Sequence, residues 1–103
     1  MALFKVARLE QLPVGAMRRV EVDEEDILLV HLADGLHAVS DTCTHARVSL
    51  ADGCLEGNIV ACPKHGGKFD VQSGKAVAFP AFTALKRYDV KVDGQDIYVA
   101  VED

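Results

Sequence analysis

Two short segments, Cys43-Thr44-His45 and Cys62-Pro63-Lys64-His65, each set a thiol and an imidazole a few residues apart, with residues 46–61 between them. Each is short enough to curl round a metal from one tight loop, without a helix. Two Cys and two His can hold a single tetrahedral zinc ion. They can also hold a two-iron two-sulfur cluster, with both thiolates on one iron and both imidazoles on the other. Zinc fingers usually supply a Cys pair and then a His pair, whereas here each loop brings one of each, and that mixing favours the cluster. On spacing alone the zinc site stays open as the alternative, in which case the chain would be a structural or interaction domain.

The elements that must position these loops read as strands. Short apolar runs alternate with turn residues, and no stretch keeps helical periodicity for long. The expected strands are 4–7, 17–22, 27–32, 36–40, 58–61, 85–92 and 97–101, with Ala33-Asp34-Gly35 and Asp93-Gly94 as tight hairpin turns. Leu9-Gln11 reads as a short helical turn, ended by Pro13 and Gly15. Gly53, Gly57, Gly66, Gly67 and Gly74 crowd the region of the two Cys-His segments, which therefore reads as loops carried on strands. The fold class is all-β, built of antiparallel sheets.

Length and composition restrict the rest. A chain of 103 residues, half of them apolar, is expected to form one domain over 1–103, with one core region and no second independent one. No apolar run approaches the ~18 residues of a membrane span, and the N-terminus lacks the apolar block of a secretory signal, so no membrane association is expected and the cytoplasm is the default location. Three cysteines, two of them in the Cys-His segments, do not make a disulfide framework, and reduced thiols suit that compartment. The net charge of −5, with no basic run, argues against nucleic acid and towards a protein partner. Charge is also uneven: Glu21, Asp23, Glu24, Glu25, Asp26 and Asp34 form an acidic stretch, whereas Lys64, Lys68 and Lys75 surround the second Cys-His segment. Cys54 is expected to be a small buried hydrophobe, and His31 and His37, without partner ligands nearby, ordinary strand histidines.

The segments Cys43-Thr44-His45-Ala46-Arg47 and Cys62-Pro63-Lys64-His65-Gly66-Gly67 resemble the cluster-binding loops of Rieske proteins. The resemblance extends to the hairpin-rich N-terminal half, to Gly74-Lys75-Ala76, to Pro80 and to the closing strands, and so covers almost the whole chain. It implies the Rieske-type fold, in which two loops, here within about 41–82, form a cluster-binding subdomain carrying one 2Fe-2S cluster. Cys43 and Cys62 would bind the inner iron, and His45 and His65 the outer one. Gly66 and Gly67 would let backbone N–H groups approach a sulfide, and Pro80 would belong to the loop covering the cluster. Two neutral imidazoles in place of two thiolates make electron uptake easier than at an all-Cys cluster.

Within that family the residues point to the low end of the potential range. High-potential members carry an extra Cys in each loop, forming a disulfide; Lys64 stands at one of those positions, and none follows His45. The same members place hydroxyl residues after the second His, where this chain has Gly67 and Phe69. The small size resembles the Rieske-type ferredoxins of bacterial aromatic-ring-hydroxylating dioxygenases. This implies a one-electron carrier between a flavin-dependent NAD(P)H reductase and a terminal oxygenase, docking through Arg47, Lys64 and Lys68 and catalysing nothing by itself. In keeping with that role, the sequence holds no nucleophile-base pair, no Gly-rich nucleotide fingerprint and no mononuclear iron site of the two-His-one-carboxylate kind. The alternative within the family is a nitrite reductase small subunit or a carrier for another enzyme.

Overall fold

The computed structural model describes residues 2–44, 47–64, 66–81 and 83–101. Among the described residues eleven strands follow one another: β1 (Ala2–Arg8), β2 (Met17–Val22), β3 (Glu25–Leu32), β4 (Gly35–Ser40), β5 (Cys54–Glu56), β6 (Ile59–Ala61), β7 (Lys68–Asp70), β8 (Ala76–Ala78), β9 (Arg87–Tyr88), β10 (Val90–Asp93) and β11 (Asp96–Val101). Two 3-10 turns, Leu9–Gln11 and Leu50–Asp52, complete the regular structure of the described residues. The expected all-β architecture is what forms.

The strands pair antiparallel in three sheets, ordered β1-β11-β10, β2-β3-β4-β9 and β5-β6-β7-β8. The third sheet is an insert in the second. The chain leaves that sheet after Ser40 and returns to it at Arg87, where β9 pairs with β4 through Ala38–Tyr88 and Val39–Arg87. Beyond the ladder, Ser40 N–H donates to Lys86 O at 2.8 Å, so the two ends of the insert are held side by side. The Tyr88 hydroxyl and Lys86 Nζ both donate to Glu25 Oε1, at 2.9 and 3.2 Å, fastening the returning strand to the start of β3.

The length predicts one core region, but strand β3, covered on both sides, divides the interior into two cores that share it. Ile27, Leu28, Leu29 and Val30 are all fully buried, because both faces of this strand are covered. Successive strand residues point to opposite faces. Leu28, Val30 and Leu32 therefore join Val39, Leu50, Val60, Phe69, Val71 and Leu85 in a core that also contains Cys43 and Cys62. Ile27 and Leu29 join Leu12, Val22, Ala38, Ile97, Val99 and Val101 in a second core beneath the β1-β11-β10 sheet.

Several local features depart from the expectation. The run 85–92 is not one strand: at Asp89 the chain passes from the second sheet to the first, with Asp89 O accepting from Ala100 N–H at 2.9 Å. Tyr88 before the crossing and Val90 after it both pack against the second core, so apolar residues recur across Asp89 although the strand breaks there. Strands β5, β7 and β8 have three residues each, too few for alternation to stand out. The β2–β3 hairpin turns on Asp23 and Glu24, both at positive φ (51° and 67°), so part of the acidic stretch is a tight turn.

Candidate metal centre

The first Cys-His segment lies in a loop whose base is laced by backbone hydrogen bonds. Leu50 N–H donates to Asp41 O at 2.7 Å, Thr42 and Ser49 form an isolated bridge, and Cys43 N–H donates to Val48 O at 3.0 Å. The Asp41 carboxylate, buried at 1% exposure, accepts from the Ser49 hydroxyl and, at 3.0 Å, from Ala51 N–H. Just beyond, Gly53 passes so close to β6 that a β-carbon would sit 1.9 Å from Ala61 O, so the chain tolerates no side chain there.

The second segment runs from the end of β6 to the start of β7. Cys62 N–H donates to Gly67 O at 2.7 Å and closes this loop, while Lys64 N–H donates to Cys62 Sγ at 3.4 Å. Gly66 has φ +73° with open space beside it; the requirement for glycine there is conformational rather than steric. Gly67 is buried and Lys64 exposed. Phe69, next on β7 after Lys68, is fully buried and brings no hydroxyl to this region.

The two loops bring Cys43 and Cys62 together at the edge of the first core, both buried and neither in a disulfide. Burial pushes the Cys62 thiol up, the Lys64 N–H pulls it down, and the neighbouring Cys43 raises it further. Two thiols held side by side with no disulfide between them are a donor pair suited to one metal centre with thiolate ligands, where a cation would offset the burial that otherwise favours the protonated form. His45 and His65 lie outside the described residues. Among the described residues, no three Cys, His, Asp or Glu side chains converge on another metal position.

Around the loops, Thr44 Oγ1 donates to Thr83 O at 2.8 Å, joining the first loop to the segment that follows Pro80. Pro80 is half-buried behind a cis peptide bond, and Phe79 before it is 87% exposed. Arg47, Lys64 and Lys68 are all exposed, but they do not share one hollow. Arg47 borders a hollow with Arg19, Asp26, Asp41 and Ser49, whereas Lys68 borders one with Cys54, Glu56, Ile59, Ala61 and Val77.

Cys54 corrects the sequence reading, since its side chain is exposed. On β5 it shares the outward face with Glu56, and Leu55 between them packs towards the core. The two remaining histidines behave as strand histidines. His31 Nδ1–H donates to Leu12 O at 2.7 Å, and His37 Nε2 meets Asp34 Oδ1 at 3.0 Å, holding that carboxyl below its ordinary range. Gln72 Nε2 donates to the other Asp34 oxygen at 3.0 Å, tying the inserted sheet to the β3–β4 hairpin. Asp41 carries no signal in the sequence beyond its place two residues before Cys43.

An antiparallel β scaffold with an inserted sheet, presenting two buried thiols from two Cys-His loops, defines an iron–sulfur protein whose cluster is gripped by paired loops. The chain belongs to the Rieske [2Fe-2S] domain family, whose model matches residues 2–89. It is 40% identical over 102 residues to the ferredoxin component of biphenyl 2,3-dioxygenase from Rhodococcus jostii (strain RHA1), covering 99% of this chain and 95% of that one. Its structure matches the ferredoxin of carbazole 1,9a-dioxygenase from Nocardioides aromaticivorans IC177 with a TM-score of 0.94 and 35% identity, over 99% of this chain and all (100%) of the other. A ferredoxin solved as a complex of reduced oxygenase and oxidized ferredoxin in carbazole 1,9a-dioxygenase matches with a TM-score of 0.90 and 34% identity, covering 95% and 92% of the two chains. Of the two metal centres compatible with the Cys-His spacing, the protein therefore carries one Rieske-type 2Fe-2S cluster and not zinc. Among the described residues, no helix is long and apolar enough to cross a membrane.

Proposed function

We propose that this chain is a low-potential Rieske ferredoxin that carries single electrons from a flavin-dependent NAD(P)H reductase to a terminal ring-hydroxylating oxygenase, in the cytoplasm. The observation that carries the proposal is the pair of buried thiols, Cys43 and Cys62, delivered by two laced loops on a fold matching a dioxygenase ferredoxin at a TM-score of 0.94. The cluster supplies the one-electron storage.

In this reading Cys43 and Cys62 hold the buried iron, and His45 and His65 hold the outer iron and form the port through which electrons enter and leave. Gly66 lets the second loop turn, Gly67 closes it onto Cys62, and Pro80 covers the site from the side. Beyond the backbone donation from Lys64 N–H to Cys62 Sγ, the chain withholds hydroxyl donors. Phe69 offers no hydroxyl, and the hydroxyls of Thr44 and Ser49 are committed to Thr83 O and Asp41. Fewer donors to the sulfurs stabilise the reduced state less, which sets the protein towards the low end of roughly −150 to +300 mV. Arg47, Lys64 and Lys68 steer acidic partner surfaces, and the short-lived docking a shuttle needs favours small, partly polar contacts.

The test is direct. Purified protein should contain iron and inorganic sulfide in equal amounts and give a Rieske-type paramagnetic resonance signal after dithionite reduction. It should also restore turnover when added to a ring-hydroxylating oxygenase and its reductase. Protein lacking sulfide would defeat the carrier assignment, and a midpoint well above zero would defeat the low-potential part of it.

A further inference from the structure

Among the described residues, Asp41 is the one buried charged side chain. It stands at the root of the first loop, where its main chain receives Leu50 N–H at 2.7 Å and donates to Asp26 O at 3.0 Å. Its carboxylate takes the Ser49 hydroxyl on Oδ2 and Ala51 N–H on Oδ1 at 3.0 Å, so it staples the returning limb of the loop to the outgoing one. Arg19 faces it with Nε 3.7 Å from Oδ2. That guanidinium is about half exposed, at 52%, and is shared with Asp26, whose Oδ1 lies 3.1 Å from Nη2. The negative charge is therefore buried, while its counter-charge is divided and screened by solvent.

A neutral residue could lace the loop, whereas a buried carboxylate is costly unless it is hydrogen-bonded and paired, and here the pairing with Arg19 is only partial. Resting on the carrier reading above, we propose that Asp41 is a positioning residue that also sets the reduction potential: it fixes the Cys43 loop and places a negative charge at the root of that loop which opposes arrival of the electron. Two residues of chain span at most about 7 Å, which puts the carboxylate on the order of 10 Å from the metal that Cys43 holds. At an effective dielectric of about 20, a unit charge at that distance changes the reduction equilibrium by roughly tenfold. For a one-electron couple, tenfold corresponds to about 59 mV. Arg19 acts in the opposite sense and more weakly, because it faces water.

The experiment is redox titration of holoprotein variants whose iron and sulfide content and paramagnetic resonance signal match wild type. Asp41→Asn, which keeps the shape and an acceptor, should raise the midpoint by about tenfold in the equilibrium constant, with most of the shift persisting in high salt. Arg19→Gln should lower it by less, with an effect that fades as salt rises. Opposite signs are the signature of charge; a loop merely loosened would shift both variants in one direction. An intact Asp41→Asn cluster at the wild-type potential overturns the proposal, as do shifts of like sign in the two variants. If Asp41→Asn does not assemble its cluster, Ser49→Ala serves instead: it keeps the charge and removes a donor that disperses it, so it should lower the midpoint, and an unchanged or raised value overturns the proposal. Wild-type protein without iron and sulfide would defeat the carrier reading itself, a different outcome from an intact cluster whose potential ignores Asp41.

Discussion

Leu28 and Leu29 are adjacent on β3, both fully buried, and enter different cores: Leu28 packs in the one that contains Cys43 and Cys62, and Leu29 in the one beneath the β1-β11-β10 sheet. Truncating either to Ala removes three carbons, at about 0.8 kcal/mol each, or about 2.4 kcal/mol of transfer free energy. The cavity left behind adds to this and brings the expected cost to about 3–4 kcal/mol, a large part of the roughly 5–15 kcal/mol that holds a domain together. Leu28→Ala and Leu29→Ala should therefore displace the urea midpoint, followed by far-ultraviolet circular dichroism, by similar amounts. Their effects on the cluster should differ. With chelator present and no denaturant, the visible absorption of Leu28→Ala should bleach several-fold faster than wild type, because its cavity opens in the core that contains the two thiols. Leu29→Ala should bleach only as fast as its global unfolding allows. Equal bleaching in the two variants, or faster loss in Leu29→Ala, would refute the assignment of the two faces of β3 to separate cores.

Three further outcomes are expected. Cys43→Ser and Cys62→Ser should each abolish the cluster while Cys54→Ser, altering an exposed thiol, leaves iron and sulfide at wild-type levels by elemental analysis. Charge reversal at the docking rim, Arg47→Glu or Lys64→Glu, should leave the visible spectrum unchanged and slow stopped-flow electron transfer several-fold at low ionic strength, the difference vanishing as salt screens the encounter; salt-independent kinetics equal to wild type in both would count against the rim. The Tyr88 hydroxyl and Lys86 hold the Glu25 carboxyl below its ordinary range, so the stabilisation is present above the unfolded value of about 4.3 and is lost as pH falls through the folded one. Unfolding curves of wild type and Glu25→Gln should thus differ at neutral pH and converge in acid, and a gap that widens on acidification would contradict the pairing.

Some of this architecture is written in short-range pattern and is therefore legible in the sequence. A Cys and a His a few residues apart constrain local chain geometry whatever surrounds them, and the runs at 17–22, 27–32 and 36–40 carry their strand character in apolar patterning bounded by turn residues. Even so, 27–32 is apolar on both faces, and its sequence does not say that Ile27 and Leu29 enter one core while Leu28, Val30 and Leu32 enter another. That division depends on which sheets close over the strand.

The tertiary structure decided whatever depends on groups distant in sequence. Cys54 has the composition of a buried residue, yet β5 turns Leu55 inward and leaves Cys54 outside. Asp89 looks like an ordinary polar position within one strand until the pairing of β9 with β4 and of β10 with β11 makes it the crossing between sheets. Asp41 reads as a loop aspartate, and only the folding back of Ser49 and Ala51, with Arg19 arriving from β2, makes it a buried charge at the root of a ligand loop. Residue type and near-neighbour spacing determine which chemistry a chain can support. Burial, face and counter-charge depend on the whole set of neighbours, and these exist only once the sheets have paired.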